Sequence, residues 1–389
     1  MSALSAFKVL ELSEDVAGEY CGKLLSDFGA DVIKIEKPGS GSPTRRMGPF
    51  GKGDVKGETS GLFAFLNTNK SSVALDLSTP AGIATLKKIL ERVDVVIDDH
   101  APGWLANVGL DPTKLADLYP RLIVCSITPY GQSAPEDRKH AEDLNVFHAS
   151  GWGYHTPSAS DPAKPPLKGP GRFLTSYEAG LEAAMCTVSC TYARETTQRG
   201  EFIDISKQEV LLSRVDYVMG QMIAGDMDVT PARTAFDLWG PASIFDGPQG
   251  YTYLWISRGH EWKALGELMG HPEWMKEFPE KWLEFETTPE RVAKCREEIT
   301  KWLKTQNREE ATAKAQKLGL TWVPVNSTSD LMSSPQYVYR KFFDEVKHPV
   351  LGSAIYPTVP YKMSATPAKI KTPAPLLGQH TATVTGAAS

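Results

Sequence analysis

Between Lys8 and Ile127 the sequence alternates short apolar runs with helical stretches, and this alternation constrains the fold more than any other feature. Lys8–Leu12 reads as a strand, Gly18–Phe28 as a helix closed by Gly29, and Asp31–Glu36 (DVIKIE) as a second strand. Strand, helix and strand in that order make a βαβ unit, whose strands lie parallel in one sheet. The pattern then recurs. Ser72–Leu77 reads as a strand, Thr79 as a helix cap with Pro80 at the first helical position, Ala81–Arg92 as a helix and Val93–Ile97 as a strand. A further helix starts at Asp111-Pro112 and stops at Pro120, ahead of the strand Leu122–Ile127. The expected class is α/β, with a Rossmann-like parallel sheet in the larger domain.

Ligands of such sheets lie beyond the carboxyl ends of the strands, which here carry Ser13–Gly18, Lys37–Arg46, Asp98–Gly103 and Thr128–Gly131. The second stretch, KPGSGSPTRR, holds Lys37, Arg45 and Arg46 with two glycines, a composition that suits a phosphate-bearing ligand and a solvated loop equally. No GxGxxG follows the first strand and no GxxxxGKS/T occurs, which disfavours a dinucleotide fold or a P-loop hydrolase.

A chain of 389 residues exceeds what one core serves. The expected division is a large domain over 1–225, a small α+β domain over 226–330, and an extended segment over 331–389 that returns to the large domain or runs along a partner. Asp246-Gly247 and Gln249-Gly250 mark turns in the small domain, and prolines from Pro349 to Pro375 punctuate the last segment. The net charge of −5 disfavours nucleic acid or a membrane surface as the main partner. Without a long apolar run or a signal-peptide pattern, the expected location is the cytoplasm. The five cysteines show no metal-ligand spacing and read as reduced core thiols. His100 adjoins Asp98 and Asp99, but three adjacent residues at a strand end cannot all face one ion, so no metal is expected.

The stretch Pro165–Ser206 carries the chemistry. A Pro/Gly-rich loop runs into Thr175, and Glu178 stands three residues on, the spacing of a reciprocal capping box; a helix is expected from near Ser176. Its inner faces read Ala179, Ala183, Ala184, Cys186, Val188 and Cys190. Thr197–Gly200 ends it, and Phe202–Ser206 reads as a strand. A helix N-terminus presents unpaired N–H groups and the positive end of a dipole, a suitable place for an anion or a reacting carboxylate.

Several segments together resemble the class III CoA-transferases, the family of formyl-CoA transferase, carnitine CoA-transferase and the α-methylacyl-CoA racemases. They are VLELSEDVAGEYCGKLLSDFGADVIKIEKPGSGSPTR, LNTNKSSVALDLSTPAG, DVVIDDHAPGWLANVGLD, QRGEFIDIS and the closing HPVLGSAIYPTVPYKMSATPAKIKTPAPLLGQHT, in the family's order over nearly the whole chain. The resemblance implies a Rossmann-like large domain, a small domain, and two chains interlocked like links, as a homodimer or a heterodimer with a related chain. It implies coenzyme A or acyl-CoA as substrate, with phosphates near Lys37 and Arg45 and the adenosine end near Asn69, Lys70 and the turn Ala101, Pro102, Gly103. In the transferases an aspartate at the start of the helix before the RG turn carries first the acyl group and then CoA. Counting back from Gly200 puts Ser176 there, and Gly180 follows at the family's spacing.

A serine at this point would form an ordinary ester, lower in energy than a thioester and a poor shuttle. Three accounts stay open. Glu178 or Asp143 takes the nucleophile's place, Glu178 being equally a capping residue and Asp143 falling where the family has a second carboxylate. Alternatively, the chain is the nucleophile-free, CoA-binding subunit of a heteromer, as in succinyl-CoA:benzylsuccinate CoA-transferase. In the third account the fold has changed its reaction to a lyase or isomerase chemistry on acyl-CoA. Racemization is disfavoured, because Glu142 and Ser176 stand where the racemases have their histidine and aspartate. Val16 replaces a glutamine that helps hold the reacting carboxyl, and Trp239-Gly240-Pro241 replaces a glycine run, which favours a bulkier, more apolar acyl group than oxalate. His140, His148 and His155 near the site read as structural, and Trp239, Trp255 and Trp262 as core or interface residues.

Overall fold

The computed structural model describes residues 2–53, 57–155, 171–225 and 240–386. The chain divides into two compact units, one of Met1–His155, Pro166–Met227 and Arg340–Ser389 and the other of Thr156–Pro165 and Asp228–Tyr339.

The first unit is built on six parallel strands: β1 (Lys8–Glu11), β2 (Asp31–Glu36), β3 (Lys70–Ala74), β4 (Val95–Asp98), β5 (Ile123–Thr128) and β6 (Phe202–Ser206). Their order is β3-β2-β1-β4-β5-β6, so the sheet reverses its winding direction between β1 and β4. Successive side chains of a strand face opposite ways, and here each face meets its own core. Val95 and Ile97 pack on one side with Val9, Ile123, Cys125 and Ile127. Val96 packs on the other with Leu10, Ile33, Ile35 and Val124. Burial on both faces explains why these strands read as continuous apolar runs.

The helices that matter for the site are α1 (Val16–Asp27), α2 (Pro80–Leu90), α3 (Asp143–Ala149), α4 (Leu174–Thr197), α5 (Lys207–Leu212) and α6 (Asp216–Ala224). Thr79 caps α2 as its sequence predicts, its hydroxyl accepting from the Gly82 N–H at 3.1 Å. The apolar stretch that follows β6 is divided at Ser213–Val215 into α5 and α6. Helix α4 starts at Leu174, with Phe173 as its cap and no side-chain cap bond. The expected Thr175–Glu178 capping box is not formed. Thr175 lies inside the first turn and donates to the Asp143 carbonyl at 3.2 Å, while Glu178 pairs with Arg214 at 2.6 Å. The buried stripe of α4 also differs from the expectation. Ala179, Ala183 and Ala184 face inward, but Thr187, Thr191 and Arg194 continue the stripe, and Val188 is exposed. Arg194 turns inward because its guanidinium meets Asp94 Oδ1 at 2.9 Å and the Arg121 carbonyl at 3.0 Å.

The last segment of the chain forms a hairpin, Phe343–His348 with Gly352–Pro357, and then runs along the outer edge of β3. Asn69 donates to the Lys369 carbonyl at 2.8 Å, and the Ser72 and Ala74 N–H groups donate to His380 Nδ1 and Thr381 Oγ1 at 3.2 and 2.9 Å.

The second unit holds a three-stranded antiparallel sheet, Ser243–Gly247, Gly250–Trp255 and Thr321–Pro324. Its core gathers Trp262, Phe278, Trp282, Cys295 and Trp322. Trp255 is 42% exposed on the other face of the sheet, and Trp239 lies outside the described residues. All five cysteines are free thiols, Cys186 and Cys190 half-buried and the others buried.

Candidate active site

The site forms where the sheet reverses, at the carboxyl ends of β1, β4 and β6. Asp15, after β1, caps α1 by accepting from the Val16 N–H at 2.7 Å. Asp99, after β4, reaches across the switch point and accepts from the N–H groups of Glu14, Asp15 and Gly18 at 2.8 to 3.2 Å. Close approach of this kind requires glycine at position 18, where a Cβ would come within 2.7 Å of Asp99 and 2.0 Å of Ser13 Oγ. Lys207, after β6, is 4% exposed. Its ammonium lies 2.6 Å from Asp15 Oδ2, 3.0 Å from Ser176 Oγ and 3.6 Å from Asp143 Oδ1.

Asp143 occupies the tip of α4 from outside the helix. Glu142 caps α3, its N–H donating to Asn145 Oδ1 at 3.0 Å, and this places Asp143 in the first turn with its carboxylate directed at α4. Oδ2 accepts the Ser176 N–H at 3.0 Å and Oδ1 accepts the Ser176 hydroxyl at 2.8 Å. The helix end that no residue of its own caps is thus capped by a carboxylate from α3, in the favourable field of the dipole. Ser176 itself is fully buried, and its hydroxyl is held between Asp143 and Lys207.

Burial opposes charge on Asp15, but the Lys207 ammonium outweighs it and holds the carboxyl below its ordinary range. Burial likewise opposes charge on Lys207, and Asp15 and Asp143 outweigh it, so its pKa is raised and the group is a cation at neutral pH. At Asp99 the opposing pull, from His100 and the Glu14 N–H, is the weaker one. Burial first, and the Asp15 charge second, push it up to about 7.

A cleft of about 480 Å³ opens over this constellation, a size suited to a small-molecule site. Asp143, Asp15, Asp99 and Glu142 bring carboxylates to it, while Phe147, Phe173, Leu144, Leu174 and Met47 supply apolar wall. A second cleft of about 440 Å³ lies past the ends of β1, β2 and β4 and is lined by Lys37, Asp76, Ser78 and Trp104. Glu14 and His100 line both. His100 stacks on Trp104 with ring centres 3.6 Å apart and planes 5° from parallel, and its Nδ1 lies 2.7 Å from Asp98 Oδ1. Burial favours the neutral ring, but the bond to Asp98 outweighs it and raises the pKa. Among the described residues, no group of three or more His, Cys, Asp or Glu is placed to hold a metal ion.

The sequence-predicted residues divide accordingly. Asp143 and Ser176 come together, whereas Glu178 turns to Arg214. Lys37 lines the second cleft, and Ala101 lines a third, about 350 Å³ in volume, together with Lys207 and Asp15. Val16 is fully buried at the start of α1. Arg45 is 1% exposed, with its guanidinium on Glu36 (2.7 and 2.9 Å), Glu58 (2.7 Å) and the Phe63 ring. Lys70 is buried against Glu11 at 2.7 Å, and Asn69, at φ 64°, holds the C-terminal segment. Pro102 is buried, and Gly103 is exposed at φ 91°. Of the histidines near the site, His140 lines the third cleft. Sequence reasoning missed Asp15, Asp99 and Lys207. The first two stand in strand-end stretches already marked as ligand positions. Lys207 directly follows a predicted strand, and the same rule applied to β6 would have found it.

A CaiB/BaiF family protein from Brucella suis shares this fold, with a TM-score of 0.82 and 27% identity over 99% of both chains. Fold and site thus define an α/β protein of that type. The chain belongs to CoA-transferase family III, whose profile matches residues 4–381. The succinyl-CoA:glutarate CoA-transferase of Mus musculus is 29% identical over 388 residues, covering 98% of this chain and 85% of its own. The formyl-CoA:oxalate CoA-transferase of Rhodopseudomonas palustris is 29% identical over 407 residues, covering 97% and 92%. Among the described residues no helix is long and apolar enough to cross a membrane.

Proposed function

We propose that this protein transfers CoA between an acyl-CoA and a carboxylic acid, and that Asp143 is its acyl and CoA carrier. One observation carries the reading: the Asp143 carboxylate lines the main cleft and rests on the first turn of α4. It therefore supplies an ionised oxygen pair at the helix tip, although residue 176 is a serine. A carboxylate oxygen attacks the thioester carbonyl, giving an acyl anhydride and CoA thiolate. The thiolate then attacks the Asp143 carbon, giving an enzyme thioester and the free acid. An acceptor carboxylate reverses the sequence. Each intermediate is an activated acyl group, so every step can run both ways, which an ester on Ser176 would not allow.

In this reading the nucleotide end of CoA lies toward Lys37, and the pantetheine arm passes His100 and Trp104 to Asp143. The Phe147, Phe173 and Leu174 side chains suit a bulky, apolar acyl group, as in an aryl- or alkyl-substituted dicarboxylate.

Borohydride reduction after incubation with acyl-CoA tests the carrier. The expected label falls on the peptide containing Asp143, and Asp143→Ala lowers turnover by at least about a thousandfold. Label on Glu178 or Ser176 would overturn the assignment. A protein that takes no label alone, yet supports labelling of a related chain, would instead be the CoA-binding subunit of a heteromer.

A further inference from the structure

Lys207 and Ser176 form a directed pair behind Asp143. An ammonium has three donors and no acceptor, so Lys207 donates to Ser176 Oγ, and Ser176 passes its own O–H to Asp143 Oδ1. The Ser176 N–H supplies a second donor, to Oδ2. Asp15 also pairs with the ammonium, at 2.6 Å. Both oxygens of the carrier are thus held from the protein side by one residue, and a buried cation stands 3.6 Å from one of them.

We propose that Ser176 is the oxyanion site for chemistry at the Asp143 carbon, and that Lys207 is a positioning residue acting through it. The inference rests on Asp143 being the carrier. When CoA thiolate attacks the acyl anhydride, a C–S bond forms at Cγ and the C=O electron pair moves onto the carboxyl oxygen that does not bridge to the acyl group. The intermediate then expels the acyl carboxylate and restores the C=O as a thioester. Whichever oxygen bridges, the other keeps a donor from Ser176. The position of Lys207 favours Oδ1 as the oxyanion and Oδ2 as the attacking oxygen. In the resting carboxylate the charge is shared by two oxygens; in the intermediate it collects on one, so these bonds strengthen most where the reaction is hardest. The serine that is unfit as a shuttle is well placed as a donor.

The test separates the two chemical steps in the full-length protein. Ser176→Ala keeps the N–H donor and loses the O–H. It is expected to release CoA thiol in a first burst at the wild-type rate, but to form the borohydride-reducible thioester on Asp143 about a hundredfold more slowly. KM for acyl-CoA should stay within about threefold, because the donor acts on the transition state rather than on substrate binding. Lys207→Met is expected to show the same split and Lys207→Arg to recover most of the rate, with the paired variant Asp15→Asn/Lys207→Met made in case the single change disturbs folding. Thioester formation at the wild-type rate in Ser176→Ala, with wild-type protein labelled on Asp143, would overturn the oxyanion role alone. A wild-type protein with no label on Asp143 would remove the carrier reading, and this inference with it.

Discussion

At the scale of single residues, the basic loop shows that cations alike in the sequence differ in whether the fold already pairs them. KPGSGSPTRR offers three cations, yet Arg45 makes two bonds to Glu36, a third to Glu58 and a fourth to the Pro375 carbonyl. Lys37, by contrast, is exposed in the loop. Nothing in the local sequence separates the two, because the partner carboxylates come from β2 and from a loop thirteen residues later. The pairing predicts an acid-sensitive step. Burial opposes ionisation of Glu36, but the Arg45 bonds outweigh it and lower its pKa from 4.5 to about 2. Since the folded value lies below the unfolded one, the contribution to stability is whole above pH 4.5 and is lost as pH falls toward 2. Urea midpoints measured between pH 5 and 2.5 should fall in the wild type, and the fall should be shallower in Glu36→Gln/Arg45→Met. Equal slopes would show that the pair does not govern the acid limb.

At the scale of elements, the decisive contact is the crossing of α1 and α4, which brings the site's helix against the switch-point helix. Its sequence signal was the small-residue stripe, and Ala179 and Ala183 do face inward with no exposure. The continuation through Thr187, Thr191 and Arg194 was not legible: the Thr191 hydroxyl donates back to the Thr187 carbonyl of its own helix at 2.6 Å, and Arg194 turns inward to Asp94, which the helix does not supply. Gly180 makes the crossing possible. A Cβ there would lie 2.4 Å from the Ala17 carbonyl oxygen, and backbone cannot yield as a side chain does. Gly180→Ala is therefore expected to cost about 1–3 kcal/mol, the range for overpacking, visible as a lowered unfolding midpoint. It should also weaken activity, since α4 carries Ser176 and meets Asp143. An unchanged midpoint would mean that the helices separate without penalty.

At the scale of the molecule, the C-terminal segment closes the open edge of the sheet. Residues 369–381 satisfy Asn69, Ser72 and Ala74 along β3, an edge that would otherwise present free backbone donors. Truncation after Pro367 should lower the melting temperature and increase aggregation, measured by light scattering during heating; a truncated protein that melts like the full chain would assign the segment no such role. The alternation of strands and helices was enough to determine the parallel sheet, because apolar runs of strand length separated by helices can bury both faces in few other ways. Ser176 at the start of a helix was likewise readable from residue type and spacing, and Asp143 as a second carboxylate from the resemblance to the family. What only the tertiary structure decided is which groups meet. Asp15, Asp143, Ser176 and Lys207 lie up to 192 residues apart, and their side chains become one site because β1 and β6 end on the same side of the sheet, beside the tip of α4. Local sequence sets backbone conformation; the pairing of buried charges depends on distances that exist only once the strands are in register.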